Sequence, residues 1–290
     1  MHPAAFCGWR YLSYTSRGPN DSTLLEGIEG INFVIFDKSQ GVNAYLSIRR
    51  RLAGQYFDAL LHMQMSLRSS VVNRLVRTNR RIGFDKVRAK DLQWLFNSHQ
   101  IPAHTQQHVL DSLFGFTEAL GIQQKILQWD IPIPQQDQDI ISAYVKKCGP
   151  YMVISPCSAM AYRNWQCHSY AQVCDYLSAR DITPVLSGGT SEIEQQYAQE
   201  IIGLAKTPIL NLIGKTTLKQ LLALLNSALG LISPDSGPAH MATAVNTPVI
   251  GLYACTNPKR ARPYLSERYT INHYDEAVLA KHATPVSQQP

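Results

Sequence analysis

No apolar run in this sequence reaches the roughly 18 to 20 residues that a membrane-spanning helix needs. The greasiest segment, residues 218–233, is interrupted by Lys219, Gln220 and Asn226, so a transmembrane helix is not expected. The sequence also lacks any Cys-x-x-Cys spacing. Its six cysteines, Cys7, Cys148, Cys157, Cys167, Cys174 and Cys255, are scattered, and no signal peptide is recognisable in the first residues. Free thiols in a reducing, cytoplasmic setting are the expectation. Cys167 next to His168 reads as a buried thiol rather than a ligand or nucleophile. The Asp and His residues lack ligand spacing as well, so neither a metal nor another cofactor is implied. Charge is sparse: 17% of the 290 residues are charged and 45% hydrophobic. A chain of that length and apolarity buries a large core and suits two domains better than one.

The charge that is present leans one way. A formal net charge of +6 and a pI near 9.0 imply an anionic partner. The basic residues gather in Arg49-Arg50-Arg51 and between residues 68 and 90, where Arg68, Arg74, Arg77, Arg80, Arg81, Lys86, Arg88 and Lys90 fall. Nucleic acid is disfavoured as that partner, because the segment has no aromatic platform and no nucleic-acid-binding motif. Part of this charge is accounted for as solvated helix faces.

Along the chain, apolar strands alternate with amphipathic helices. In the second half the pattern predicts strands over residues 151–155, 183–187, 208–212, 229–233 and 248–253. Helices are expected over 168–180, 191–205, 217–227 and 236–246. The first half repeats this more weakly, with strands over 32–36, 57–62 and 81–84 and helices over 42–53, 65–77 and 108–120. This alternation predicts an α/β protein with doubly wound parallel sheets, whose ligands bind outside the carboxyl ends of the strands. Trp129-Asp-Ile-Pro-Ile-Pro-Gln-Gln-Asp-Gln138 is rich in Pro and Gln and reads as the linker. It divides the chain into domains 1–130 and 131–290.

The most informative stretch is residues 229–253. A buried strand enters the polar turn Asp235-Ser236-Gly237, and a helix opens at once. Unpaired backbone N–H groups and the positive end of the helix dipole make such a turn a natural seat for a diphosphate. Ser236 can cap the helix, and Gly237 lets the backbone approach a ligand. An ordinary capped helix gives the same local pattern. His240 argues for a ligand, since the first turn of a helix is a poor place for a purely structural cation.

The run Asp235-Ser-Gly-Pro-Ala-His240, followed by Ala242, Ala244, Pro248 and Leu252-Tyr253, resembles the C-terminal signature of the ADP-heptose:lipopolysaccharide heptosyltransferases, glycosyltransferase family 9. The resemblance extends from about Leu24 to about Tyr264 and is stronger in the second half. It implies a GT-B-like fold of two Rossmann-like domains facing across a cleft, the N-terminal one on the acceptor side. The implied activity is inverting transfer of heptose from ADP-heptose to the inner core of lipopolysaccharide. Its acidic inner core and lipid A phosphates then suit the basic clusters, with Arg80 and Arg81 assigned to acceptor binding. A basic patch also allows peripheral attachment to the anionic cytoplasmic face of the inner membrane.

On the same resemblance, Ser158 and Arg163 in Ser155-Pro-Cys-Ser-Ala-Met-Ala-Tyr-Arg-Asn-Trp165 hold the donor diphosphate. Arg163 stands where the family often has Lys; the charge is kept but the fork of donors is different. In Leu186-Ser-Gly-Gly-Thr-Ser-Glu-Ile-Glu194, Glu192 is assigned to the adenosine ribose with Glu194 in reserve. The dipole alone also favours acids at that helix start. Asn211-Leu-Ile-Gly-Lys-Thr-Thr217 is not a P-loop; Thr216 or Thr217 reads as a cap, and Lys215 can reach the donor. With Asp235, Ser236, Gly237 and His240 these form the expected donor site.

The sequence departs from the family at the general base. The family's Asp sits in a Gly-Asp turn after the first N-terminal strand, and residues 1–20 contain no apolar strand followed by Gly-Asp. Asp21 is nearest in position but has no strand before it. The N-terminal domain is therefore expected to be incomplete, its sheet left with an uncovered strand. Two readings stand: a heptosyltransferase, or a catalytically impaired nucleotide-sugar-binding protein of the same fold. A sugar-nucleotide epimerase of the same architecture is more distant.

Overall fold

The computed structural model describes residues 20–282. Its contacts divide the chain into two compact units, with the division between Leu127 and Gln128.

The N-terminal unit contains α1 (Asn20–Leu25), α2 (Val42–Arg51), β1 (Leu60–His62), α3 (Leu67–Leu75), β2 (Arg81–Gly83), β3 (His99–Gln100) and α4 (Val109–Ala119). The three strands form one sheet in the order β1-β2-β3, all parallel, with Leu60 opposite Arg81 and Ile82 opposite His99. α3 starts cleanly because Ser66 and Ser69 close a reciprocal capping box, which satisfies donors a helix start otherwise leaves open. The strand expected over residues 32–36 does not form. That segment is extended and alternates in burial, but it is not in a sheet. Val34 and Phe36 pack on Ala44, Ile48 and Val72. The alternation marks the buried side of the segment, but pairing needs a neighbouring strand, and among the described residues this segment has none. The β3 strand went unanticipated because two exposed polar residues carry no apolar signal.

The C-terminal unit holds α5 (Gln135–Val145), β4 (Tyr151–Ile154), α6 (Cys167–Ser178), β5 (Thr183–Leu186), α7 (Glu192–Leu204), β6 (Leu210–Asn211), α8 (Leu218–Asn226), β7 (Gly230–Pro234), α9 (Gly237–Ala244), β8 (Val249–Tyr253), α10 (Pro258–Ala261), β9 (Thr270–Asn272) and α11 (Tyr274–His282). The Pro and Gln-rich stretch is thus a linker only in its first half. Pro134 stands at the N-cap of α5, where its missing N–H costs nothing, and Ile141 is buried on the far side of the helix. α8 buries Leu221, Leu222, Leu224 and Leu225, each contributing about 1.5 to 3 kcal/mol over exposure. The Tyr151 hydroxyl donates to the Leu224 carbonyl at 2.8 Å and the Thr247 hydroxyl to the Leu225 carbonyl at 2.7 Å, which ties the last turn of the helix to β4 and to the residues before β8. Lys219 turns its ammonium to the Pro132 carbonyl, which ties the residues before α5 to α8.

Six strands form the second sheet, all parallel, in the order β6-β5-β4-β7-β8-β9. Counted from β4, this is the doubly wound order 3-2-1-4-5-6. The direction of winding reverses between β4 and β7, and the carboxyl ends of strands at such a reversal are where doubly wound sheets bind their ligands.

Candidate active site

Four strand ends of the C-terminal unit, those of β4, β5, β6 and β7, supply the donor-site residues singled out from the sequence, and the reversal between β4 and β7 decides which of them meet. The loop after β4 and the loop after β7 are joined by an ion pair: Arg163 Nη1 lies 2.9 Å from Asp235 Oδ2, across 72 residues of sequence. Their side chains are 27% and 12% exposed, so the pair is half-screened from water yet still partly open to solvent. Arg163 Nε is buried with no partner among the described residues, and the guanidinium lies 5.8 Å from the ring of the exposed Tyr162. A guanidinium held in place by a carboxylate, with its side chain still 27% exposed, is suited to meet phosphate oxygens.

Ser158 is beside it but has local work. Its N–H donates to Asn164 Oδ1 at 2.8 Å, and its hydroxyl donates to the Met160 carbonyl at 2.8 Å. The end of β8 belongs to the same neighbourhood. The Tyr253 hydroxyl is made less acidic by burial first and then by Asp235, with Arg163 acting in the opposite direction. The Cys255 thiol donates to the Tyr162 carbonyl at 3.2 Å. Neither Tyr253 nor Cys255 was singled out for the site from the sequence, since their involvement follows only from β8 lying beside β7.

Ser236 stands at the N-cap of α9, but its hydroxyl does not cap the helix. It pairs with the Ser233 hydroxyl at 2.7 Å. The capping expected of Ser236 is therefore corrected: a buried neighbour on β7 competes for the oxygen. The first N–H groups of α9 have no side-chain cap and keep their affinity for an anion. A Cβ placed on Gly237 would meet nothing within 4 Å, so its backbone faces open space. His240 is exposed in the first turn.

At the end of β5, Glu194 and not Glu192 turns back onto the Gly188-Gly189 corner. Its carboxylate accepts from Gly189 N at 2.7 Å and from the Ser191 hydroxyl at 2.6 Å. A Cβ on either glycine would come within 2.9 Å of that carboxylate, so a larger residue there would push the Glu194 side chain aside. Burial, with Glu194 next, pushes the Cys157 thiol up to about 12, so that thiol is not a nucleophile. Glu192 is exposed at the first position of α7. After β6, Lys215 is exposed and donates to the Asn211 carbonyl at 2.9 Å. Thr217, rather than Thr216, is the cap of α8, in a reciprocal box with Gln220.

In the N-terminal unit Arg80 and Arg81 hold backbone. Arg80 donates to the Ala119 carbonyl, and Arg81 to the Thr78 carbonyl at 2.8 Å and the Val76 carbonyl at 2.6 Å. Asp21 lies in α1. Asp37 is exposed and accepts from the Ser39 hydroxyl and amide and from Gln40, which lower its pKa. The described cysteines, Cys148, Cys157, Cys167, Cys174 and Cys255, are all unpaired.

The sequence profile of glycosyltransferase family 9 (heptosyltransferase) matches residues 45–287. The chain belongs to glycosyltransferase family 9. Among its relatives, the lipopolysaccharide core heptosyltransferase OpsX of Haemophilus influenzae is 34% identical over 273 residues, covering 94% of this chain and 79% of that protein. Lipopolysaccharide heptosyltransferase 3 of Escherichia coli is 26% identical over 231 residues, covering 78% and 68%. Of solved structures, the family 9 glycosyl transferase from Veillonella parvula aligns with a TM-score of 0.77 at 18% identity, covering 93% of this chain and 79% of that one. Escherichia coli heptosyltransferase WaaC with ADP aligns with a TM-score of 0.67 at 17% identity, covering 91% and 92%. At these identities the structures speak for the fold, and it is the expected GT-B-like α/β architecture of Rossmann-like parallel sheets. As a member of the family the chain is a glycosyltransferase. No helix among the described residues is long and apolar enough to cross a membrane.

Proposed function

We propose that this protein transfers heptose from ADP-heptose to the inner core of lipopolysaccharide, with inversion, while attached peripherally to the anionic cytoplasmic face of the inner membrane. The observation that carries the donor half of this reading is the Arg163–Asp235 pair at the strand reversal, next to the uncapped start of α9. The donor residues are Ser158, Arg163, Glu192, Lys215, Asp235, Ser236, Gly237 and His240. Glu194 is the alternative for the ribose, because its carboxylate already lies against the strand-end glycines. Arg80 and Arg81 remain the acceptor-side assignment, although their bonds to backbone carbonyls suit a structural role better.

The reaction is a single displacement. The acceptor hydroxyl attacks the anomeric carbon, a carboxylate takes its proton, and the bond to ADP breaks with the electron pair leaving on the diphosphate. Arg163 and the α9 N–H groups supply the positive counterpart of that leaving group without a metal. Asp21 and Asp37 are the first carboxylates to substitute; the hydrogen bonds that lower the Asp37 pKa make it a weaker base than a free aspartate.

The test is calorimetric titration with ADP and AMP, no metal added, on the whole chain and on Arg163→Ala. ADP binding should weaken by about 1.5 to 3 kcal/mol, as for a charge-assisted hydrogen bond, and AMP binding by much less. No ADP binding at millimolar concentration by the folded protein, or equal losses for ADP and AMP, would remove Arg163 from the diphosphate. ADP binding without ADP release from ADP-heptose and heptose-deficient lipopolysaccharide would favour the binding-only reading.

A further inference from the structure

Most of the basic residues of the N-terminal unit are engaged. Arg80 and Arg81 hold carbonyls, Arg88 pairs with Asp85, Arg74 donates to the Leu95 carbonyl at 3.3 Å, and Lys86 lies 5.0 Å from the Trp94 ring. Two are different. Arg49 and Arg50, in the last turn of α2, are exposed, and their guanidinium groups make no ion pair or hydrogen bond among the described residues. α2 carries no Asp or Glu. The nearest acid before it, Asp37, is occupied by Ser39 and Gln40.

The same face of α2 is apolar where it should be polar. Ala44, Ile48 and Leu52 are buried on the inner side. On the outer side Val42 is 74% and Leu46 44% exposed, one turn apart, with Arg49 and Arg50 a further turn on. Beside them Gln40, Asn43, Leu46, Ser47, Arg50 and Arg51 line a shallow concavity. Two exposed aliphatic side chains in line with two unpaired arginines, and no counter-charge on the helix, make a surface complementary to anionic amphiphiles in register.

We infer that the outer face of α2, through Val42, Leu46, Arg49 and Arg50, docks on an anionic lipid bilayer, the aliphatic pair entering the interface and the arginines meeting lipid phosphates. This deepens the membrane attachment proposed above, and names the surface that makes it.

Flotation of the full chain with vesicles tests it, using equal parts phosphatidylglycerol and phosphatidylcholine against phosphatidylcholine alone. Arg49→Ala with Arg50→Ala should lower partition onto the anionic vesicles about 30-fold, at roughly fivefold per arginine. Val42→Ser with Leu46→Ser should lower it about 10-fold, and this loss should persist at roughly 0.5 M salt, where the arginine contribution is screened. Lys259→Ala with Arg260→Ala, on the exposed side of α10 in the other unit, removes the same charge and should change partition less than about threefold.

Partition unchanged by the arginine pair overturns the proposal. So does an equal loss from the α10 pair, or equal binding of the unsubstituted chain to neutral vesicles. A raised KM for acceptor lipopolysaccharide in the arginine variant, with vesicle binding intact, also overturns it and gives the face to the acceptor. ADP titration without vesicles reports separately on the donor site: its failure with vesicle binding retained would remove the transferase reading and leave the docking face standing.

Discussion

In the C-terminal unit the sheet is six strands wide and every residue of β7 is buried, whereas the N-terminal unit has three strands of two or three residues, stitched by polar side chains. Gln93, fully buried, donates to the His62 carbonyl at 2.9 Å and accepts from Phe84 N at 3.3 Å. His62, also buried, has Asn97 and Asn73 at Nδ1 and Ser69 at Nε2. One unit is specified by apolar area, the other by a small number of hydrogen bonds that are expensive to lose. The first kind of specification tolerates substitution and leaves strand-end loops at liberty to bind. The second fixes a small sheet but makes it brittle.

Breaking the polar cluster should show the difference most strongly. Gln93→Leu leaves the Phe84 N–H and the His62 carbonyl buried without this partner, so a destabilisation of about 2 to 5 kcal/mol is expected. Hydrogen exchange should show it as lost protection in β1 and β2 with β4 and β7 still protected. If all four strands lose protection together, the two units are not held by separate means.

The glycines sharpen the same contrast. A Cβ on Gly83 would lie 1.9 Å from Asn97 Nδ2, inside the cluster, and Gly83→Ala should cost about 1 to 3 kcal/mol as overpacking, measured by urea unfolding. Next in size is a pH effect. Burial lowers the His62 pKa below its ordinary 6.5, partly offset by the bond to Asn97. The unfolded chain then binds a proton that the folded one refuses. Stability from this group is whole above pH 6.5 and falls as pH drops toward the folded value, by at most about 1.4 kcal/mol per pH unit. Urea midpoints at pH 7 and pH 5, with His62→Asn losing this component, check it; a midpoint that rises on acidification would reverse the sign.

The smallest stability effect belongs to Gly237→Ala. With open space around the added methyl, unfolding free energy should stay within about 1 kcal/mol. ADP affinity should nevertheless fall, because that methyl stands where a phosphate would approach the backbone. A variant that binds ADP as well as the parent would take Gly237 out of the donor site.

Legibility followed the same divide. In the C-terminal unit, apolar runs bounded by turn residues located β4, β5, β7 and β8 and the intervening helices nearly to the residue, because burial on both faces writes itself into sequence as continuous hydrophobicity. In the N-terminal unit the extended segment at residues 32–36 carries an equally good strand pattern and joins no sheet among the described residues, while β3 carries no pattern and pairs with β2. Alternation reports which side of a segment is buried, not what lies along its edge. The start of α5 was missed because Gln and Asp after a proline serve equally as linker and as first helical turn.

What the sequence determined by itself is the alternation of strand and helix, the α/β class, and the family, through residues 235–253. It also determined that Arg163, Lys215, Asp235 and His240 fall at strand ends. Only the tertiary structure decided that the β4 and β7 ends are neighbours, that Arg163 spends one nitrogen on Asp235, that Glu194 folds back onto Gly189 while Glu192 stays exposed, and that Ser236 bonds Ser233 instead of capping α9. The reason is physical. Secondary structure and strand-end position follow from patterns a few residues long, whereas strand order, and every hydrogen bond that depends on it, is fixed by how whole layers bury their apolar faces against one another.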